Sequence, residues 1–188
     1  MTYFETIIPG VLIIEPRVFK DERGYFFESF RSIEFQERVG HSIQFVQENE
    51  NRSVYGVLRG IHYQNPPFTQ SKLARVVEGS VLDVAVDLRK DSPAFGKWVA
   101  VELNTENHYQ LFLPRGIGHA MLCLSKTCIF QYKVDNYYAP KAEGYVAWND
   151  PDLNIDWKIP SKDIIVSEKD SMHPFLRDIN SPFTSTCF

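Results

Sequence analysis

What most constrains this chain is how often it must turn. Turn-forming clusters recur at Asp21–Gly24, Asn49–Ser53, Asn65–Pro67, Glu78–Ser80, Lys90–Pro93, Asn104–Asn107, Pro114–Gly116, Ser125–Lys126 and Ala139–Gly144. Between them lie short runs rich in Val, Ile, Leu, Phe and Tyr. Runs this short leave little room for amphipathic helices, and strands at roughly ten-residue spacing point to an all-β sandwich or barrel. Aromatic residues at 14%, with 14 Phe and 9 Tyr, favour strands for the same reason.

The clearest alternation runs through β-branched and aliphatic residues. Leu82, Val84, Val86 and Leu88 fall on one strand face, with Asp83 and Asp87 on the other. Trp98–Leu103 and Cys128–Val134 also read as strands. Ser32–Val39 reads as a short helix capped by Ser32, and a helical turn is expected near Ser167–Asp170. No repeat or low-complexity tract divides the chain, and its 188 residues suit one domain spanning 1–188.

The balance of charge limits the partners. A net charge of −4 provides no basic face for phosphate neutralisation along a nucleic acid, so any phosphate must be met locally by a few arginines. No apolar run is long enough to cross a bilayer. Ile7–Ile14 is too short and too broken by Pro9 and Gly10 for a signal peptide. The three cysteines, Cys123, Cys128 and Cys187, match no metal spacing. A cytoplasmic protein with incidental thiols is the expectation.

The densest chemistry lies in Gly56-Val57-Leu58-Arg59-Gly60-Ile61-His62-Tyr63-Gln64 and Gln70-Ser71-Lys72-Leu73-Ala74-Arg75-Val76. A hairpin about Pro67 would set His62 opposite Lys72, whose charge would favour a neutral imidazole suited to act as base. The plainer alternative is that both are ordinary surface residues. Strict alternation separates Arg59 from His62, unless a bulge at Gly60 restores them to one side. His119 follows the Pro114–Gly116 turn, where it fits either a structural hydrogen bond or a ligand contact. Tyr132 shares a face with Cys128, Phe130 and Val134 and points inward, as core tyrosines also do. Ser167-Glu168-Lys169-Asp170 reads by pattern as a capping box. The five histidines, His41, His62, His108, His119 and His173, form no His-x-His pair, so a metal site is not expected.

Taken in order, these motifs resemble the dTDP-4-dehydrorhamnose 3,5-epimerases over nearly the whole chain. They begin with Asp21-Glu22-Arg23-Gly24-Tyr25-Phe26-Phe27-Glu28, Gln47-Glu48-Asn49 and Gly56–Gln64. They continue with Lys72–Gly79, Asp83–Asp87, Ser92–Trp98, Pro114–His119, Tyr132–Tyr138, Trp148-Asn149-Asp150-Pro151 and Ser167–Asp170. The resemblance implies a cupin-like jelly roll with a few short helices. It also implies a homodimer that exchanges N-terminal segments, and chemistry on a dTDP-4-keto-6-deoxy sugar without metal or organic cofactor. It implies His62 as base oriented by Asp170, Lys72 at the enolate oxygen, and Tyr132 as the acid on the other face. Arg23, Phe26, Glu28, Gln47, Asn49, Arg59 and Tyr138 are implied around the nucleotide and diphosphate, and His119 in the same cavity. The stretch Ile117-Gly118-His119-Ala120 departs slightly from the family pattern, which bears on packing near the sugar. Two alternatives stand beside this: an epimerase acting at one carbon of a related sugar, and a non-catalytic sugar-binding module. The module predicts loss of at least one of His62, Lys72, Tyr132 and Asp170, and all four are present.

Overall fold

The computed structural model describes residues 1–185; Cys187 lies outside the described residues. In chain order the elements are β1 (Thr2–Glu5), β2 (Leu12–Glu15), β3 (Val18–Asp21), β4 (Gly24–Phe27), α1 (Ser32–Val39), β5 (Gln47–Val54) and β6 (Leu58–Gln64). They continue with β7 (Lys72–Glu78), β8 (Ser80–Asp87), β9 (Trp98–Asn104), β10 (Gln110–Leu113), β11 (Ile117–Cys123), β12 (Thr127–Val134) and β13 (Glu143–Tyr145). Among the described residues after β13 the helical elements are short 3₁₀ turns, and Ile165 bridges to Val57. No helix of the described residues is long and apolar enough to cross a membrane.

The strands form a sandwich of two antiparallel sheets, ordered β1-β2-β10-β7-β12-β5 and β13-β6-β11-β8-β9, with β3 and β4 as a separate ribbon. From β6 onward the chain passes repeatedly from one sheet to the other, which is the expected jelly-roll arrangement. Between the sheets lies a core that includes Ala74, Leu111 and Phe130 from one side and Val81, Ala85 and Met121 from the other.

The expected hairpin about Pro67 does not form. β6 and β7 belong to opposite sheets. Pro66 and Pro67 bring no N–H to a ladder, and the segment that follows is held by long-range bonds instead. Gln70 Nε2 donates to the Asn136 carbonyl at 2.7 Å, and Asp135 Oδ1 accepts the Ser71 N–H at 2.7 Å. The hairpin partner assigned to β6 is therefore replaced by β11 and β13.

The bulge at Gly60 is present. Against β11, His62 pairs with His119 but Arg59 pairs with Met121, so three steps on β6 match two on its partner. Gly60 has φ 134°, and a Cβ there would stand 2.4 Å from the Ala120 Cβ. Only a residue without a side chain fits both the backbone and the approach. The extra residue returns Arg59 and His62 to the same cavity.

Three local expectations are corrected. Asn49–Ser53 is not a turn but the middle of β5, an edge strand with a polar face tolerated by its exposure. Ser32 does not cap α1: Arg31 occupies that position without a capping bond, and the Ser32 hydroxyl accepts from Gln36 Nε2 at 2.7 Å. α1 is held by packing instead, Phe35 meeting Phe112 edge-on at 5.0 Å. Finally, both faces of β8 are buried. Its aliphatic face is roofed by Leu153, Trp157, Leu176 and Phe183 of the C-terminal segment, so the interior between the sheets receives Asp83.

Candidate active site

A cavity of about 520 Å³ opens between the sheets, and His62, Lys72, His119, Tyr132, Arg59 and Asp170 all line it. They come from β6, β7, β11 and β12 and from the turn at Asp170–Met172. Residues far apart in sequence converge because four strands drawn from both sheets turn these side chains inward, β6 two of them and the others one each.

His62 Nε2 stands 2.6 Å from Asp170 Oδ1. The Asp170 side chain is 7% exposed, whereas that of His62 is 32% exposed toward the cavity. Burial disfavours the Asp170 charge, but hydrogen bonds from His62 and Ser167 outweigh it. The carboxyl is held below the usual range. An ionised Asp170 accepts the Nε2 proton and leaves the Nδ1 lone pair of a neutral ring unprotonated. The capping-box expectation holds by half: the Asp170 N–H donates to Ser167 Oγ at 3.1 Å, while the Asp170 carboxylate turns to His62.

Lys72 is not the cross-strand neighbour of His62; it pairs with Leu113 and Val134 and reaches the cavity from the opposite sheet. Burial depresses its ammonium pKa to about 8, with Asp83 and Glu143 pulling the other way. It keeps its proton at neutral pH, and its Nζ lies 5.9 Å from the Tyr132 ring centre. Tyr132 is raised above the ordinary phenol range by burial, against a hydrogen bond to Asn49 and the charge of Arg59. It is a protonated hydroxyl, a donor.

His119 forms a second histidine–carboxylate pair, with Nε2 2.6 Å from Asp83 Oδ1. Burial is the largest influence on this ring and depresses its pKa despite Asp83. It is a neutral, inward-facing group: the structural hydrogen bond expected of His119 is present, and the ring also lines the cavity.

The other expected residues divide into two groups. Asn49 lies opposite Tyr132 across β5 and β12, Gln47 Nε2 donates to Asn49 Oδ1 at 2.8 Å, and the Tyr138 N–H donates to Gln47 Oε1 at 3.1 Å. Of these residues Arg59 lines the cavity, and its Nε donates to Ser53 Oγ at 3.2 Å. Arg23, Phe26 and Glu28, in contrast, are not brought to the cavity of their own chain. Arg23 and Phe26 line a depression on the β3–β4 ribbon, Phe26 being 70% exposed, and Glu28 pairs with Arg31 at 2.8 Å.

Sequence reasoning missed Asp83, Glu143, Lys169 and His173. An acid within the buried run Val81–Val86 was a usable signal for Asp83. Glu143 accepts from Tyr145 at 2.6 Å and from Lys169 at 2.7 Å. Burial opposes its charge, yet these bonds hold its carboxyl below the usual range. His173 is near Asp170, at 3.6 Å, and stacks on Tyr145 at 4.3 Å between centroids. The reading that no histidines cluster holds for sequence spacing but not in space. Ligand atoms of His62, Asp170 and His173 lie within 4.8 Å of one another.

The family model described as dTDP-4-dehydrorhamnose 3,5-epimerase matches residues 5–178. The chain is 49% identical over 170 residues to the dTDP-4-dehydrorhamnose 3,5-epimerase of Shigella flexneri, covering 90% of this chain and 93% of that one. The crystal structure of the Elizabethkingia anophelis NUHP1 enzyme of the same name is 49% identical, with TM-score 0.92 over 96% of this chain and 98% of that chain. The dTDP-6-deoxy-D-glucose-3,5-epimerase of Legionella pneumophila Philadelphia 1, solved in complex with dTDP-4-keto-L-rhamnose, is 43% identical, with TM-score 0.91 over 95% and 94% of the two chains.

Proposed function

The chain belongs to the dTDP-4-dehydrorhamnose 3,5-epimerase family, and on that premise we propose how its cavity carries out the reaction. The enzyme inverts C3 and C5 of dTDP-4-dehydro-6-deoxy-D-glucose to give dTDP-4-dehydro-L-rhamnose. The observation that carries the mechanism is the 2.6 Å contact of His62 with a buried, ionised Asp170, in one cavity with Lys72 and a protonated Tyr132.

The C4 ketone acidifies the hydrogens on its neighbours C3 and C5. The Nδ1 of His62 takes one of these protons, the C–H electrons become a carbon–carbon double bond, and the carbonyl electrons move to oxygen. The Lys72 ammonium stabilises that enolate, a charge that develops only as the reaction proceeds. Tyr132 then delivers its proton to the carbon from the opposite side, which inverts the centre. The phenolate regains a proton and His62 loses one before the second centre reacts. Asp170 acts through His62, fixing its tautomer and orientation. His119, neutral and anchored by Asp83, offers the sugar a polar wall without an added charge.

The nucleotide end belongs to Arg59, which lines the cavity, and to Asn49, opposite Tyr132, with Gln47 and Tyr138 bonded beside it. A guanidinium such as that of Arg59 binds diphosphate oxygens through charge-assisted hydrogen bonds. Arg23, Phe26 and Glu28 serve a second copy of the chain in a homodimer that exchanges N-terminal segments. Their position outside the cavity of their own chain supports that reading. The mass in dilute solution is expected to be that of a dimer by light scattering; a fully active monomer at micromolar concentration refutes it. The reaction takes place in the cytoplasm, a reading supported by two buried, unbridged thiols, Cys123 and Cys128.

Incubation with the keto sugar in deuterated water tests the whole reading. Deuterium is expected at both C3 and C5, without added metal or nucleotide cofactor. Label confined to one carbon makes the protein a single-centre epimerase. No label at either carbon, with the sugar bound, makes it a binding module.

A further inference from the structure

His173 has no part in the mechanism above, yet its side chain is only 4% exposed and neither ring nitrogen has a hydrogen-bond partner. Two unpaired nitrogens in a buried imidazole are costly unless something else uses them. The backbone of Val146 lies alongside, short of a proper bond. A neutral imidazole offers one ring lone pair to a cation.

Its surroundings hold that donor in place. The Tyr145 ring lies flat against it, 14° from parallel at 4.3 Å, and His62 stands edge-on at 5.7 Å. His173 Nε2 is 3.6 Å from the Asp170 oxygen that meets His62 Nε2 at 2.6 Å. Two imidazoles and one carboxylate, with ligand atoms all within 4.8 Å, need only small movements to reach the ligand spacing around a tetrahedral cation with bonds of about 2.0–2.2 Å. The nearby Lys169 charge is taken up by Glu143 at 2.7 Å. Imidazole nitrogens with one carboxylate suit Zn²⁺ and its first-row neighbours rather than Mg²⁺ or Ca²⁺. The cavity gives access to the His62 side of the group.

We propose that His62, Asp170 and His173 form a site for a Zn²⁺-type transition-metal cation, and that a cation held there switches the epimerase off. The second half rests on the assignment of His62 as the base. A neutral imidazole carries one proton. When Nε2 gives its lone pair to a cation, that proton resides on Nδ1, and the lone pair that would remove the sugar proton is gone. The metal is thus an inhibitor, and it takes no part in turnover.

The test compares the wild-type protein with His173→Phe, which keeps a ring against Tyr145 and removes both nitrogens. Because those nitrogens make no hydrogen bonds, the variant is expected to fold and to turn over close to wild type in chelator-treated buffer. Zinc chloride is titrated into each by calorimetry without substrate, and turnover is measured at the same concentrations. One Zn²⁺ per chain is expected in the wild type. Affinity is expected to fall by at least about 10–100-fold in His173→Phe, since even outer partners of metal ligands are worth that much. Wild-type turnover is expected to fall with occupancy and return with EDTA, while the variant resists zinc over the same range. His173→Gln, which keeps a polar side chain, serves as the second variant if Phe is not accommodated. Equal zinc affinity in wild type and variants, or no binding, overturns the site. Zinc bound through His173 with turnover unimpaired leaves the site standing and overturns the inhibition.

Discussion

His62→Asn is expected to lose turnover by about 10²–10⁴-fold or more while dTDP still binds with near-wild-type affinity. A positioned general base contributes that order of acceleration, and here base and orienting carboxylate act as one unit. The Asn amide can still donate toward Asp170, so the buried carboxylate keeps a partner and the fold should survive. It has no lone pair basic enough to take a proton next to a ketone. Binding is spared because His62 makes its contacts with Asp170 and Tyr145 and none with Gln47 or Asn49, which are assigned to the nucleotide and bonded to each other. Steady-state kinetics and dTDP calorimetry on the same preparation separate the two effects. A comparable loss of dTDP affinity would contradict the division between sugar and nucleotide ends. Turnover within tenfold of wild type would remove His62 as the base.

Tyr132→Phe is expected to separate proton removal from inversion. The ring stays, so contacts with Phe130 and His119, at 6.0 and 6.3 Å between centroids, change little. Only the hydroxyl is lost. His62 and Lys72 remain, so the enolate should still form and hydrogen should still exchange with solvent. With no donor opposite, the proton returns mainly from the His62 side and restores the starting configuration. Inversion should fall by about 10²–10⁴-fold, while exchange at C5 falls much less. If Tyr132 were only a core tyrosine, losing its bond to Asn49 would cost about 0.5–1.5 kcal/mol of stability and leave inversion near normal. Exchange and inversion read from one sample by NMR discriminate between these outcomes. Near-normal inversion in a folded variant would mean that another group supplies the opposite-face proton.

The sequence made some of this legible because some of its signals are local. Strand identity in Trp98–Leu103 and Cys128–Val134 follows from side-chain alternation, which needs no knowledge of the partner strand. The bulge at Gly60 was legible because Arg59 and His62, three residues apart, can share a face of one strand only with an extra residue between them. The convergence of His62, Lys72, Tyr132 and Asp170 was legible through motif resemblance, and all four line one cavity. β5 was misread as a turn because Asn and Ser are poor strand formers, yet an edge position beside β12 supplies hydrogen bonds that outweigh propensity.

What the sequence by itself determined is therefore the kind of element at most positions and the kind of chemistry the chain carries. The tertiary structure alone decided who faces whom. A turn at Pro66–Pro67 reads the same whether the chain folds back into a hairpin or crosses to the other sheet, and the outcome depended on bonds to Asp135 and Ala139 more than sixty residues away. The two faces of β8 read as apolar and polar, but only the C-terminal segment packed on the first left Asp83 for the interior. His173 gave no local signal at all. It matters because a 3₁₀ turn sets it three residues beyond Asp170, 111 positions along the chain from His62. Local pattern records the preferences of a residue and its close neighbours, whereas a site between two sheets is made by contacts whose loop lengths and packing partners no short window contains.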